Sequence, residues 1–173
     1  AISVSGKGLK SETDAVRCEK AYRYLAKLES AYILNRCPRY DLQAKKPLKA
    51  QEKFYLTDSA LRYSVLGYTP DSVFPMLENA VYLELLRRGY TVSTGKLEHG
   101  EIDFVATKRE NKLYIQVAQE FGSAKTQKRA YGRLFDIRDN YPKYVLRADD
   151  YAGGNYQGVQ ILHAADFLLS DAY

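Results

Sequence analysis

The chain has 173 residues, 46% of them hydrophobic and 27% charged, which suits one sizeable domain or a small domain joined to a larger one. No run of 18 apolar residues occurs, so no membrane-spanning helix is expected. Two cysteines, Cys18 and Cys37, are too few and too scattered for a disulfide framework or a zinc site. The net charge of +5 is uneven. Residues 1–65 carry 13 Lys/Arg against 7 Asp/Glu, whereas residues 66–173 carry 13 against 14. The basic part is therefore the first third, where phosphate binding and a plain solvated surface are both open readings.

Residues 1–10 contain no apolar block, so no signal peptide is expected and a reduced cytoplasmic compartment is the default. A first residue of Ala and a single methionine, Met76, read as the marks of a fragment or a processed chain. From Thr13, apolar residues recur at Cys18, Ala21, Leu25, Leu28 and Tyr32, in the steps of three and four that mark one helix face, with Ser11 or Thr13 to cap it. Two β-prone runs follow, 33–40 and 53–56, with Lys45-Lys46-Pro47 as a basic turn between them. A helix followed by a hairpin has the form of the tail of a winged-helix unit, and residues 1–66 are taken as that basic segment.

Asp58 to Leu66 predicts a short helix or turn closed by Gly67. Asp71 or Ser72 then caps a helix over 74–88, whose apolar stripe is Leu77, Ala80, Val81 and Leu85 and whose end is Gly89. Past Gly89 the period changes from about 3.6 to 2. Strands are predicted at 90–94, 101–107 and 113–119, the last two as an antiparallel hairpin across the short link 108–112. In the second strand Ile102, Phe104 and Ala106 are expected on one face and Glu101, Asp103 and Val105 on the other. A helix over 124–138, strands at 143–147 and 159–163 separated by a Gly153-Gly154-Asn155 turn, and a closing helix over 164–169 complete the order. His99 reads as a turn residue and His163 as a structural residue or helix cap. The fold class is α/β: a mixed sheet flanked by helices, with residues 67–173 as its main unit.

Three polar residues stand where apolar ones are expected. Glu78 lies beside the helix stripe, Asp103 is mid-strand where Asp is disfavoured, and Gln116 sits between Ile115 and Val117. A covered mid-strand carboxylate is costly unless it meets a cation or strong donors. Oxygen ligands meeting at one point suit Mg²⁺, which polarises a phosphoryl oxygen and activates water. Asp103 paired with an arginine or a helix terminus, and Gln116 as an ordinary structural residue, are the plainer readings.

The order helix-Glu78, strand-Asp103, strand-Gln116 resembles the PD-(D/E)xK nuclease superfamily. More narrowly, residues 77–90, 100–105, 114–117 and 139–143, with 28–34, 38–41 and 53–58 upstream, resemble a family of bacterial and archaeal AAA-type ATPases. In those proteins a P-loop domain precedes a C-terminal domain of uncharacterised function, and this chain resembles the latter. The resemblance implies a restriction-endonuclease-like fold with Glu78, Asp103 and Gln116 as the catalytic and metal-binding set, Mg²⁺ as cofactor, DNA as a partner and the protein's own ATPase domain as another. The superfamily's lysine would fall at Ala118 and is absent; Lys125, Lys128 and Arg129 are candidate replacements. The family's Glu after the arginine is replaced by Ala130. Gly6-Lys7-Gly8 lacks the Ser or Thr of a P-loop, so ATP binding is expected outside this chain. Three functions follow: a nuclease-fold module binding nucleic acid with weak or lost hydrolysis, a non-catalytic module for protein contact or dimerisation, or an active nuclease with a displaced lysine.

Overall fold

The computed structural model describes residues 2–3, 12–118, 131–149 and 153–170. The described elements are β1 (Ile2–Ser3), α1 (Glu12–Ser30), β2 (Leu34–Asp41), β3 (Lys46–Leu56), α2 (Ser59–Leu66), a 3-10 turn at Pro70–Ser72, α3 (Val73–Arg87), β4 (Thr91–Leu97), β5 (Gly100–Lys108), β6 (Asn111–Ala118), a helical stretch α4 over 131–135, β7 (Lys143–Arg147), β8 (Gly154–Tyr156), β9 (Val159–His163) and α5 (Ala164–Leu169). The strands form one nine-stranded mixed sheet in the order β1-β3-β2-β4-β5-β6-β7-β9-β8, with helices against it. The fold class is thus the one the sequence predicts.

The first helix ends earlier than its apolar periodicity. Tyr32 turns into the left-handed region at φ 57, its N–H donates to Glu29 O, and the N–H of Ile33 donates to Leu28 O. That pair of bonds is a Schellman stop, with tyrosine in the place usually held by glycine. The reversal sends the chain into β2, and Leu25, Leu34 and Phe54 form a small core beneath it. The hairpin turn also lies elsewhere than expected. Asp41 Oδ1 accepts from the backbone N–H of Gln43 and Ala44, so the reversal is at 42–45 and Lys46 and Pro47 belong to β3.

The hairpin does not stand apart. Residues 39–41 of β2 pair in parallel with residues 94–96 of β4, so the basic N-terminal stretch supplies one wing of the same sheet. Further along, Gly154-Asn155 is strand rather than turn. Gln157 and Gly158 make the reversal instead, both at positive φ, which is the conformation a two-residue hairpin needs.

Two apolar clusters sandwich the centre of the sheet. Helices α3 and α5 cover one face, where Val81, Tyr82, Leu85 and Phe167 meet Phe104, Ala106, Leu113, Ile115 and Val117. Residues 131, 134 and 137 cover the other with Ile102, Val105, Tyr114 and Val145. Ile102 therefore faces away from Phe104, against the simple alternation. The cause is a bulge: Ser93 pairs with Val105 but Gly95 with Ile102, so Asp103 and Phe104 oppose Thr94 alone. Gly95 fits there because a Cβ would come within 2.6 Å of Ile102 Cγ1 and 2.8 Å of Val105 Cγ2.

Candidate functional site

The bulge sits at the head of β5, next to the point where β5 and β6 separate. Their last cross-strand pair in this direction is Phe104 with Ile115. Beyond it, the carboxylate of Asp103 replaces the missing ladder: Oδ2 accepts from the Val117 N–H at 2.8 Å and from the side-chain amide of Gln116. Asp103 and Gln116 are thus brought together as their strand positions predict.

Glu78 reaches the same place from α3. Its neighbour Asn79 seats that helix, accepting from Leu56 N at 2.8 Å and donating to Leu56 O at 2.9 Å, a side chain imitating a strand partner. Glu78 Oε1 then accepts from Tyr55 OH at 2.6 Å and from Lys53 Nζ at 3.2 Å. Tyr55 is held by stacking on Tyr82, with ring centroids 4.2 Å apart.

Lys53 is the residue that sequence reasoning missed. Its Nζ lies 3.2 Å from Glu78, 3.6 Å from Glu101 Oε1 and 3.7 Å from Asp103 Oδ1. Lys53, Glu78 and Asp103 each have side chains only 14% exposed. Glu101 is joined to Arg39 NH2 at 2.7 Å through its other oxygen, and Arg133 donates to its backbone carbonyl. Burial pulls the Lys53 ammonium down, but Glu78, Asp103 and Glu101 outweigh it and hold it above the ordinary lysine value. Burial and then the charge of Glu78 push the Asp103 carboxyl up to about 6, against the opposing pull of Lys53 and the Val117 N–H. Burial likewise raises the Tyr55 hydroxyl far above its usual value, so it is a donor here. The one signal in the sequence was the alternation Lys53-x-Tyr55, which puts both side chains on one face of a strand.

The three expected site residues therefore converge, while the candidate replacement lysines, Lys125, Lys128 and Arg129, lie outside the described residues. Fitted to Mg²⁺, the donors are poorly disposed. Glu78 Oε1 is taken by Tyr55 and Lys53, and Asp103 Oδ2 by two N–H donors. Among the described residues no group of three His, Cys, Asp or Glu is placed to hold a metal ion. An ammonium stands at the point where the carboxylates meet.

A family described as a domain of unknown function (DUF8612) matches residues 4–72, the stretch that contributes Lys53 and Tyr55 but not Glu78, Asp103 or Gln116. An uncharacterized protein of Haemophilus influenzae is 36% identical over 147 residues, which span 85% of this chain and 36% of that protein. The chain thus covers about a third of that relative's length. No solved structure matches.

Proposed function

We propose that the chain is a nuclease-like module that binds nucleic acid and hydrolyses phosphodiesters weakly or not at all. The observation that carries this reading is the junction of Glu78, Asp103 and Gln116 where β5 and β6 part, with Ala118 in place of the lysine that the resemblance calls for. That lysine would orient water and offset charge, so its absence argues for binding over turnover. The basic first third supports contact with phosphates, although Arg36, Arg39 and Lys53 are committed to internal carboxylates. The resemblance to AAA-type ATPases supports a place on a longer P-loop protein, whose activity and substrate are part of the same proposal.

The test is anisotropy of a labelled DNA duplex across a KCl series, run beside a plasmid nicking assay with Mg²⁺ and Mn²⁺. Binding should weaken linearly with log salt, and nicking should be slow or absent. Salt-insensitive binding or none removes the nucleic-acid role. Rapid nicking that Asp103→Ala abolishes removes the claim of lost hydrolysis.

A second reading, a dimerisation module, rests on α2. None of its residues is buried, and Leu61, Val65 and Leu66 stand exposed beside a groove of about 420 Å³ floored by Phe54, Leu56 and Met76. Sedimentation of the native chain against Val65→Glu decides it: a single monomeric species at high concentration for both refutes it.

A further inference from the structure

We propose that nucleic acid is held at the tip of the β5–β6 hairpin, where Lys108, Arg109 and Lys112 take its phosphate backbone. This surface rests on the nucleic-acid reading above and gives it a place of contact away from the carboxylate junction.

The tip is a two-residue turn. Lys108 pairs with Asn111 across the strands, which leaves Arg109 and Glu110 as the loop. Lys108, Arg109 and Glu110 are all exposed. The next pair back is Thr107 with Lys112, so three cations fall within five residues. Tyrosines hold the two lysines on opposite faces of the sheet. Lys108 Nζ lies 5.6 Å from the ring centre of Tyr90, which belongs to the core on the α3 side. Lys112 Nζ lies 5.1 Å from the ring centre of Tyr141 and 6.0 Å from that of Tyr114, which belongs to the core on the other side. Stems laid on aromatic rings lose less freedom when their ammonium groups meet an anion. A strand crossing the tip thus meets a cation on each face and one between them.

Charge separates these cations from several in the basic first third. Arg36, Arg39 and Lys53 are engaged by carboxylates. Among the described residues, no carboxylate lies within ion-pair distance of Lys108, Arg109 or Lys112. The Asp139 carboxylate accepts from Tyr114 OH at 2.5 Å and from the Tyr141 N–H instead. With Glu110 counted, the tip carries three positive charges against one negative, an excess that a phosphate backbone answers. Arg109, Glu110 and Asn111 offer nothing apolar to insert into a bilayer, which favours nucleic acid over a lipid surface. Lys108 lies five residues along β5 from Asp103, roughly 17 Å at the rise of an antiparallel strand. A phosphate on the tip is therefore well away from the carboxylate junction, and binding there involves no hydrolysis.

The experiment measures anisotropy of a labelled DNA duplex across a KCl series for the full native chain, for a triple variant (Lys108→Gln, Arg109→Gln and Lys112→Gln together) and for Glu110→Lys. Flotation on phosphatidylserine vesicles runs beside it. The triple variant should bind about tenfold more weakly or worse at low salt, and its plot of log affinity against log salt should flatten by about 2 to 3, near one unit for each lost phosphate contact. Glu110→Lys should bind more tightly than the native chain and steepen the plot, a gain that no misfolded protein gives. Native affinity and slope in the triple variant overturn the proposal and leave the nucleic-acid reading standing; so does a Glu110→Lys protein that binds no tighter. Should the triple variant lack the native circular dichroism, Glu110→Lys decides alone. A native chain that binds no DNA at any salt removes both the surface and the reading beneath it. Vesicle binding without DNA binding, lost in the triple variant, assigns the tip to membranes and overturns the proposal.

Discussion

Asn79 is the residue whose removal should most directly show how the fold seats the site. The residue is 2% exposed, and its two hydrogen bonds, 2.8 Å from Leu56 N and 2.9 Å to Leu56 O, tie α3 to the backbone of β3. Asn79→Ala removes both partners at once. Each backbone group then loses a bond in a partly covered position, at a cost of about 1–3 kcal/mol per unsatisfied group. With some water entering the space vacated by the amide, about 2–4 kcal/mol is expected, a large fraction of the stability of a domain this size. Asn79→Asp keeps the acceptor for Leu56 N but sets a carboxylate against Leu56 O, so it should cost at least as much at neutral pH and less in acid, where the carboxyl can donate. Urea unfolding gives the free energies, and amide exchange at Leu56 reports the bond itself. A loss below about 0.5 kcal/mol with unchanged exchange at Leu56 would refute the reasoning. Because Glu78 is the adjacent residue, the same change should also loosen its contact with Lys53 and Tyr55.

Gly95→Ala should destabilise by about 1–3 kcal/mol, since its Cβ would meet branched side chains of a filled core; an unchanged urea midpoint would show that the bulge has slack. The Asp103 carboxyl carries a second test. Its folded value, about 6 against an ordinary 3.8, means the folded state keeps the proton longer. Stability from this group therefore falls as pH rises from about 4 to about 6, by up to about 3 kcal/mol. The stability difference between the native chain and Asp103→Asn should shift in favour of the variant across that window, and a difference flat in pH contradicts the burial argument. Tyr32→Gly should raise stability by up to about 1 kcal/mol, because the tyrosine is 84% exposed and sits at positive φ; a lower melting temperature would mean that its side chain does more than the structure shows.

Much of the architecture was written into local pattern. The strands at Lys143–Arg147 and Val159–His163 and the helix Ala164–Leu169 follow from apolar runs between turn residues, and His163 caps that helix by accepting from Ala165 N as its position suggests. The switch from helical to alternating period at Gly89 located the sheet because both signals are intrinsic to a few neighbouring residues. Asp103 and Gln116 were recognisable as a pair for the same reason: a short hairpin link determines which side chains lie opposite one another.

What the tertiary structure alone decided concerns residues distant in sequence. The parallel pairing of β2 with β4 leaves no trace in either strand, since alternation is the same whatever the neighbour. The bulge opposite Thr94, which turns Ile102 from the face of Phe104 and aims Asp103 at the strand junction, depends on a glycine in the facing strand. Lys53 appeared to be one basic residue among many in a basic stretch. Its partners lie 25, 48 and 50 positions further on, and only the pairing of the hairpin with β4 and its packing against α3 make it the counter-charge of the acids. Local patterning determines which side chains share a face, but which charges share a cavity is settled by the assembled sheet.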